Sequence, residues 1–301
     1  MKVLITGCNG MLGSTLCTEF NSVYEVWGLD TVTGVFDGAR FLKCDITNKH
    51  DIELAMRAVQ PHAVIHCAGI TDVDGCENNE RKANAVNAEA TEMLARYARD
   101  MQAFFCYIST DYVFDGRKEG PYKETDVCNP LNSYGLSKLK GEEAVKNSGV
   151  SYLIIRTSGL FGGTIQNKNF ANSILKSMKN NTPLHVVNDQ KGRPTYTKDF
   201  ARALHCLIEY YQSTKHVSEI FHVTNQDATT WFEFAQAIIA KLDGDVQKIK
   251  PIMSNQLHRV AQRPQNWVLS TEKFEQLLHE TMRPWSLALD DYLKEINVPV
   301  S

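Results

Sequence analysis

The chain lacks any apolar run near the roughly 20 residues that cross a bilayer, so no membrane span is expected. It also lacks a charge excess: 32 Lys and Arg stand against 35 Asp and Glu, for a net charge of -3. There is no long basic run. Electrostatics therefore give no reason to expect nucleic acid or an anionic membrane as partner. The eight cysteines (8, 17, 44, 67, 76, 106, 128 and 206) show no C-x-x-C and no Cys/His metal spacing. Several lie in apolar runs, which predicts buried free thiols in a reducing cytoplasm and neither a disulfide framework nor a metal site. No signal peptide is expected, because the apolar Val3-Leu4-Ile5 stops at Thr6-Gly7. There is no internal repeat and no low-complexity linker. With 301 residues, 43% of them hydrophobic, the chain can bury a large core as one domain or two joined ones.

What is present is an alternation of strands and helices. Lys2-Val3-Leu4-Ile5-Thr6 is rich in strand formers and runs straight into Gly7-Cys8-Asn9-Gly10-Met11-Leu12-Gly13. Leu16 and Phe20 continue at helical spacing. Strand, tight glycine turn and helix follow, an arrangement in which the backbone approaches a pyrophosphate seated on the helix N-terminus. The spacing is G-x-x-G-x-x-G, not the usual G-x-G-x-x-G. A second strand over 24–30 ends in Asp30, about 20 residues beyond the glycines, where an acid accepts a ribose 2′-OH or else caps a turn. A third strand over 41–47 brings Asp45, placed to cap a helix over 48–59 or to reach an adenine amino group. A fourth over 62–69 ends in Ala68 and Gly69, small enough for a ligand to lie close. His66 within it is expected to be a packed residue.

Further on, the pattern predicts a helix over 84–99, a strand over 104–108 and a strand over 151–157. A polar loop leads through Asp111 to Pro130. The fold class is α/β, a doubly wound parallel sheet of Rossmann type. Beyond Gly162-Gly163 the pattern loosens: helices over 170–178, 200–211 and 230–242, strands over 184–187 and 221–223, a polar turn over 189–197 and an irregular stretch over 250–264. Two helices close the chain, one opening at 270–273 and one over 285–296. The expected division is a dinucleotide-binding domain over 1–162, completed by about 192–225. A smaller mixed α/β substrate lobe would comprise 163–191 and 226–301. Such a lobe would sit over the carboxyl edge of the sheet, where open α/β folds bind ligands.

The stretch with most chemistry is Asn132-Ser133-Tyr134-Gly135-Leu136-Ser137-Lys138. Tyr134 and Lys138, four apart, share one face of a helix. A neighbouring ammonium favours a phenolate and would bring a phenol of pKa about 10 toward neutrality. Ser109-Thr110 closes the apolar strand upstream and offers hydroxyls. A hydroxyl donor, a Tyr and a Lys form the set used by short-chain dehydrogenases and reductases.

These motifs resemble the dTDP-4-dehydrorhamnose reductase family, extended short-chain reductases acting on a nucleotide-linked keto-sugar. The resemblance covers nearly the whole chain. It rests on Thr6-Gly7 through Gly13, Asp45-Ile46-Thr47-Asn48 and Thr71-Asp72-Val73-Asp74. It continues through Ser109-Thr110-Asp111-Tyr112-Val113-Phe114, Pro130-Leu131-Asn132-Ser133-Tyr134-Gly135 and Arg156-Thr157-Ser158. It ends in Asn188-Asp189-Gln190, Pro194-Thr195, Arg263-Pro264 and Thr271-Glu272-Lys273-Phe274.

The resemblance implies that Tyr134 is the proton donor, that Lys138 orients it and binds the nicotinamide ribose, and that Thr110 takes the hydroxyl place. NADH or NADPH would lie along Gly7, Gly10, Met11, Leu12, Gly13, Asp30, Asp45, Ile46, Ala68, Gly69, Ile70 and Thr71. Val73, Thr110 and Asp111 would face the sugar. Chemistry adds one residue to these: a diphosphate needs cationic donors, and Arg263 in the irregular stretch over 250–264 is either such a donor or a solvated loop charge. The expected location is cytoplasmic. The family often dimerises, in some members with Mg²⁺ at the interface, so a homodimer is part of the expectation. Sugar-nucleotide 4,6-dehydratases typically carry Thr-Asp-Glu where this chain has Thr110-Asp111-Tyr112, so that chemistry lacks its base. An epimerase or reductase of another sugar stays open. So does a non-catalytic dinucleotide-binding subunit like the regulatory subunit of methionine adenosyltransferase. One departure bears on the sugar: the family usually has Trp after Arg-Thr-Ser, and this chain has Gly159. Either the pocket is enlarged, or another aromatic such as Phe161 or Tyr196 fills the gap.

Overall fold

The structure, a computed structural model, describes residues 1–34, 38–180, 183–211, 214 and 216–296. The end of the expected lobe at 301 lies outside them. Six strands enter the main sheet first: β1 (Lys2–Thr6), β2 (Glu25–Asp30), β3 (Arg40–Lys43), β4 (Ala63–His66), β5 (Phe104–Thr110) and β6 (Tyr152–Thr157). Ser218–His222 adds the seventh. The spatial order is Ser218–His222, β6, β5, β4, β1, β2, β3, and every pairing is parallel. The order reverses beside β1, so β1 and β4 diverge at the crevice where such sheets take ligands.

The sheet is buried on both faces because alternate side chains feed two cores. Val3 and Ile5 join Ala63, Ile65, Cys106, Ile108, Leu153 and Ile155 against the helices α1 (Met11–Phe20) and Thr197–Tyr211. Leu4, Val64, Phe105, Tyr107 and Ile154 point the other way, against α2 (Lys49–Val59) and the helix Ala90–Asp100. A third core gathers Phe161, Ile174, Tyr196, Phe234, Leu289 and Tyr292 from the chain beyond β6.

Several sequence expectations are corrected. The helix expected over 84–99 is interrupted by a π-helical turn, Ala85–Glu89. The extra residue turns Asn87 inward. Its amide accepts from Ile70 N at 2.8 Å and donates to Ile70 O and to Ser137 Oγ, so a buried polar side chain is satisfied. Asp45 does not cap α2; Asn48 does, accepting from His50 N and Asp51 N. Asp45 instead closes its own turn on Thr47 N at 2.9 Å. The stretch over 250–264 is not wholly irregular, because Ile249–Ile252 pairs in parallel with Leu184–Val187. The polar turn over 189–197 contains two short strands, Lys191–Gly192 and Thr195–Tyr196. Both pairings are long-range and leave no local periodicity to read.

Candidate active site

One cleft of about 530 Å³ opens at the carboxyl edge of the sheet. One wall is the glycine turn. Gly7 takes a positive φ of 69°, and a Cβ on it would lie 2.7 Å from Ala68 Cα, so only glycine lets the turn sit against the end of β4. Gly10, Met11, Leu12 and Gly13 continue this wall into the N-terminus of α1, whose backbone N–H groups favour an anion. Gly69, Thr71 and Val73 add the floor, and Thr110, Asp111, Tyr134, Lys138 and Gly159 the opposite side.

The Tyr134 helix, Ser133–Asn147, starts where Asn132 accepts from Gly135 N at 2.9 Å. Tyr134 and Lys138 are 8% and 6% exposed, so both functional groups are dry. Burial pushes the Tyr134 phenol well above its usual range, and the facing Thr110 hydroxyl only partly offsets this. The expectation that Lys138 draws the phenol toward neutrality is therefore corrected: desolvation dominates, and at neutral pH the phenol keeps its proton. The Lys138 ammonium donates to Ile108 O at 2.7 Å and lies over the Tyr107 ring, 4.1 Å from its centre. Burial pulls its pKa down to about 8. Beneath it His66 is fully buried between Thr6 and Thr91, and burial lowers it to about 3. It is a packed residue, as its apolar run suggested.

Ser109 and Thr110 part company at the end of β5. Ser109 Oγ turns away and donates to Glu142 at 2.6 Å. Thr110 Oγ1 stays at the cleft and donates to Asp111 at 3.1 Å. Asp111 is 4% exposed with no cation paired to it among the described residues, and burial pushes its carboxyl up to about 7. Near neutrality it can donate as well as accept.

Not every residue expected at the site reaches this cleft. Asp30 does not line it; its carboxylate accepts from Asn9 N at 3.0 Å and Thr31 N at 2.8 Å, which ties β2 to the glycine turn. Asp45 lines a separate cleft with Thr31, Lys43 and Asp51. Ile46 packs into the core beside α2, and Ile70 is held through its backbone by Asn87. Arg263 lies outside the cleft: its guanidinium clasps Asp74 at 2.5 and 2.7 Å. Beside it Arg259 has no carboxylate partner among the described residues and lines two grooves, one with Gln190 and Ser254, one with Phe170 and Val186. Among the described residues, no group of three or more His, Cys, Asp or Glu is placed to hold a metal ion.

The gap at Gly159 is filled, but not by the aromatics expected. Phe161 and Tyr196 stack on each other in the third core, 5.5 Å apart. The space over Gly159 belongs to Trp267, whose ring lies 3.0 Å from where a Cβ would be. Gly159 also has a φ of 53°, so an indole there would be strained as well as displaced. Lining residues that sequence reading missed include Cys67, Ser158, Asn169 and Trp231. Asn169 carried a signal, since Asn before an apolar run marks a helix start, and it caps Phe170–Lys179. Trp231 carried one only as the residue after the N-cap Thr of a Thr-x-x-Glu capping box.

A family model described as RmlD substrate binding domain matches residues 1–298. A dTDP-4-dehydrorhamnose reductase from Aggregatibacter actinomycetemcomitans is 34% identical over 296 residues, covering 96% of this chain and 97% of that protein. The spore coat polysaccharide biosynthesis protein SpsK of Bacillus subtilis is 34% identical over 297 residues, covering 98% and 97%. The solved dTDP-4-dehydrorhamnose reductase of Bacillus anthracis, in complex with NADP, matches with a TM-score of 0.88 at 32% identity, covering 98% of this chain and 99% of that one. These matches run nearly end to end on both sides, and the chain belongs to the dTDP-4-dehydrorhamnose reductase family.

Proposed function

We propose that this chain is an NAD(P)H-dependent reductase of a nucleotide-linked 4-keto-6-deoxy sugar, turning dTDP-4-dehydrorhamnose into dTDP-rhamnose. The observation that carries the reading is the meeting of Thr110, Tyr134 and Lys138 in one cleft, facing a glycine turn on a helix N-terminus. The residues fit a nicotinamide dinucleotide. Small residues at 7, 10, 13 and 69 leave room, and Lys138 has no carboxylate partner among the described residues. Thr157 Oγ1 is buried at the cleft with no partner among them either. Gly7, Gly10, Met11, Leu12 and Gly13 would hold the pyrophosphate, Asp30 the adenosine ribose, and Lys138 the nicotinamide ribose. Asp45, Ile46, Ala68, Gly69, Ile70 and Thr71 complete the proposed track. When bound, the reduced nicotinamide supplies hydride to the sugar's keto carbon.

The chain's own part is placement and proton supply. Negative charge grows on the keto oxygen as the carbon is reduced. Thr110 and Tyr134 both offer O–H donors to that oxygen, in a dry site where such bonds are worth more than in water. Tyr134, protonated because it is buried, delivers the proton. The positive charge on Lys138 favours the phenolate left behind. Val73 and Asp111 would hold the sugar. A homodimer, with or without Mg²⁺, is part of this proposal on family grounds. So is the division into a cofactor domain, 1–162 with about 192–225, and a substrate lobe, 163–191 with 226–301. The seventh strand of the main sheet, Ser218–His222, supports that division. The test is oxidation of NADH or NADPH by a dTDP-4-keto-6-deoxy sugar. Tight cofactor binding without turnover would favour a binding subunit instead.

Cofactor choice follows from charge. A carboxylate at Asp30 repels a 2′-phosphate; of the two cations able to offset it, Arg40, across from Trp27, is paired with Glu25 at 2.7 Å, which leaves Lys43, across from Asp30. NADH is therefore expected to give kcat/KM at least equal to that of NADPH, and Asp30→Ala to shift the ratio toward NADPH. A strong NADPH preference that Asp30→Ala leaves unchanged would remove Asp30 from the ribose site.

The diphosphate end needs a cation, and Arg263 is committed to Asp74. Arg259 suits it better, because burial and the adjacent Arg263 both work against its charge until an anion arrives. Arg259→Ala is expected to raise the sugar-nucleotide KM by about 10- to 100-fold, the worth of a charge-assisted hydrogen bond, and to leave cofactor affinity alone. Parental KM in this variant would return the role to another group.

A further inference from the structure

Trp231 and Trp267 are brought together by a three-stranded sheet in the small lobe. Thr229–Thr230 and Asn266–Trp267 flank Lys191–Gly192, one antiparallel and one parallel. Trp267 pairs with Gly192, and its ring occupies the place a Cβ on Gly192 would need. The same ring covers Gly159, with Cζ3 and Cη2 at 3.0 and 3.2 Å from a Cβ built there. Two glycines thus make a slot for one indole. Trp267 is 4% exposed, and its Nε1 has no hydrogen-bond partner among the described residues. A buried indole N–H usually finds one. This ring is held by shape, and what it touches on its open side is Trp231.

The two rings stack 4.7 Å apart at 22°. Phe170 closes on Trp231 from another side at 4.5 Å. Trp231 opens the helix Trp231–Ala240 directly after Thr230, whose capping box with Glu233 sets the direction of the chain. The half-buried Trp231 ring is therefore locked by packing and by backbone. It lines the reaction cleft and also the groove that contains Arg259 and Val186, so it stands where the two meet. The other aromatics lining the cleft, Tyr112 and Tyr134, carry hydroxyls and stand edge to face beside Asp111.

We propose that Trp231 is the specificity-determining wall of the sugar pocket, packed against the apolar C–H and methyl face of a 6-deoxy sugar, with Trp267 as its positioning residue. The hydroxyl-bearing face of the sugar is then left to Thr110, Asp111 and Tyr134. Trp267 and Phe170 cover the faces of the Trp231 ring, so the sugar meets its edge, and an apolar edge opposite a polar wall sorts a sugar by its two unlike faces. The proposal rests on the sugar-nucleotide reading above and deepens it.

The test is titration of the purified full chain with dTDP-rhamnose and with dTDP, alongside steady-state kinetics. The parent is expected to bind dTDP-rhamnose more tightly than dTDP. Trp231→Ala should remove that difference and raise the sugar KM by roughly tenfold or more, with kcat falling far less, and Trp231→Phe should recover most of it. Trp267→Ala should reproduce the KM effect with NADH affinity unchanged. A parent that binds both ligands but turns over nothing would sink the reductase reading, and the difference between the ligands would still decide the role of Trp231. Unchanged discrimination in Trp231→Ala, or equal loss of dTDP and dTDP-rhamnose, would overturn the proposal.

Discussion

Tyr134→Phe is expected to lower turnover by about 10²- to 10⁴-fold, the usual worth of a positioned acid. The substitution removes one oxygen and leaves the ring. The edge-to-face contact with Tyr112, 5.4 Å between centres, survives, and so does the packing against Cys76 and Ala83. The variant should fold like the parent and bind NADH or NADPH as tightly. What it loses is the proton for the keto oxygen and one of two donors to the charge that grows there. The Thr110 hydroxyl remains, so activity should fall without vanishing. Thr110→Val should cost less, since it removes a donor but no transferable proton. Steady-state rates together with a fluorescence titration of the cofactor check both halves of the expectation. Near-parental turnover would take Tyr134 out of the mechanism. A parallel loss of cofactor affinity would show a structural role instead.

The parts of this molecule legible in the sequence are those set by local spacing. The glycine turn, the Tyr-x-x-x-Lys pair and the alternating strands each announce themselves within a dozen residues. The structure confirms the doubly wound sheet and brings Gly7 to Gly13 opposite Tyr134 and Lys138. What could not be read depends on partners far along the chain. Trp267 matters because of glycines at 159 and 192, and Asn87 because a π-helical turn aims it at Ile70 and Ser137. The protonation of Tyr134 escapes local spacing for the same reason. Four-residue spacing placed Lys138 nearby, but burial set the pKa, and burial is a tertiary property. Arg263 carried the charge expected of a phosphate ligand, and Asp74, distant in sequence, had already taken it.

Glu142 shows how far one helical face can be followed. Tyr134, Lys138 and Glu142 recur every four residues, and the third member anchors the other two. Glu142 is fully buried and holds Arg156, 1% exposed, through two bonds: Nε to Oε1 at 2.9 Å and Nη2 to Oε2 at 2.7 Å. The same Oε1 accepts from Ser109. The helix is thereby fastened to the ends of both β5 and β6, beside Thr110. Glu142→Ala is expected to leave a guanidinium buried without its paired carboxylate, held only by Glu124 O and Cys128 Sγ, a loss of about 3–5 kcal/mol. Lys146, 3.8 Å from Glu142 Oε2, cannot compensate, because it carries the same sign as Arg156. For a chain of this size the melting temperature should fall by on the order of 10 °C. Activity measured well below that transition should fall too, since Tyr134 and Lys138 ride on the loosened helix. The double variant Glu142→Leu with Arg156→Met removes both charges and keeps the volume, so it should regain most of the lost stability. Thermal melts of the three proteins decide the matter. A Glu142→Ala melt within about 2 °C of the parent would mean that water reaches Arg156 and that the pair does not anchor the helix.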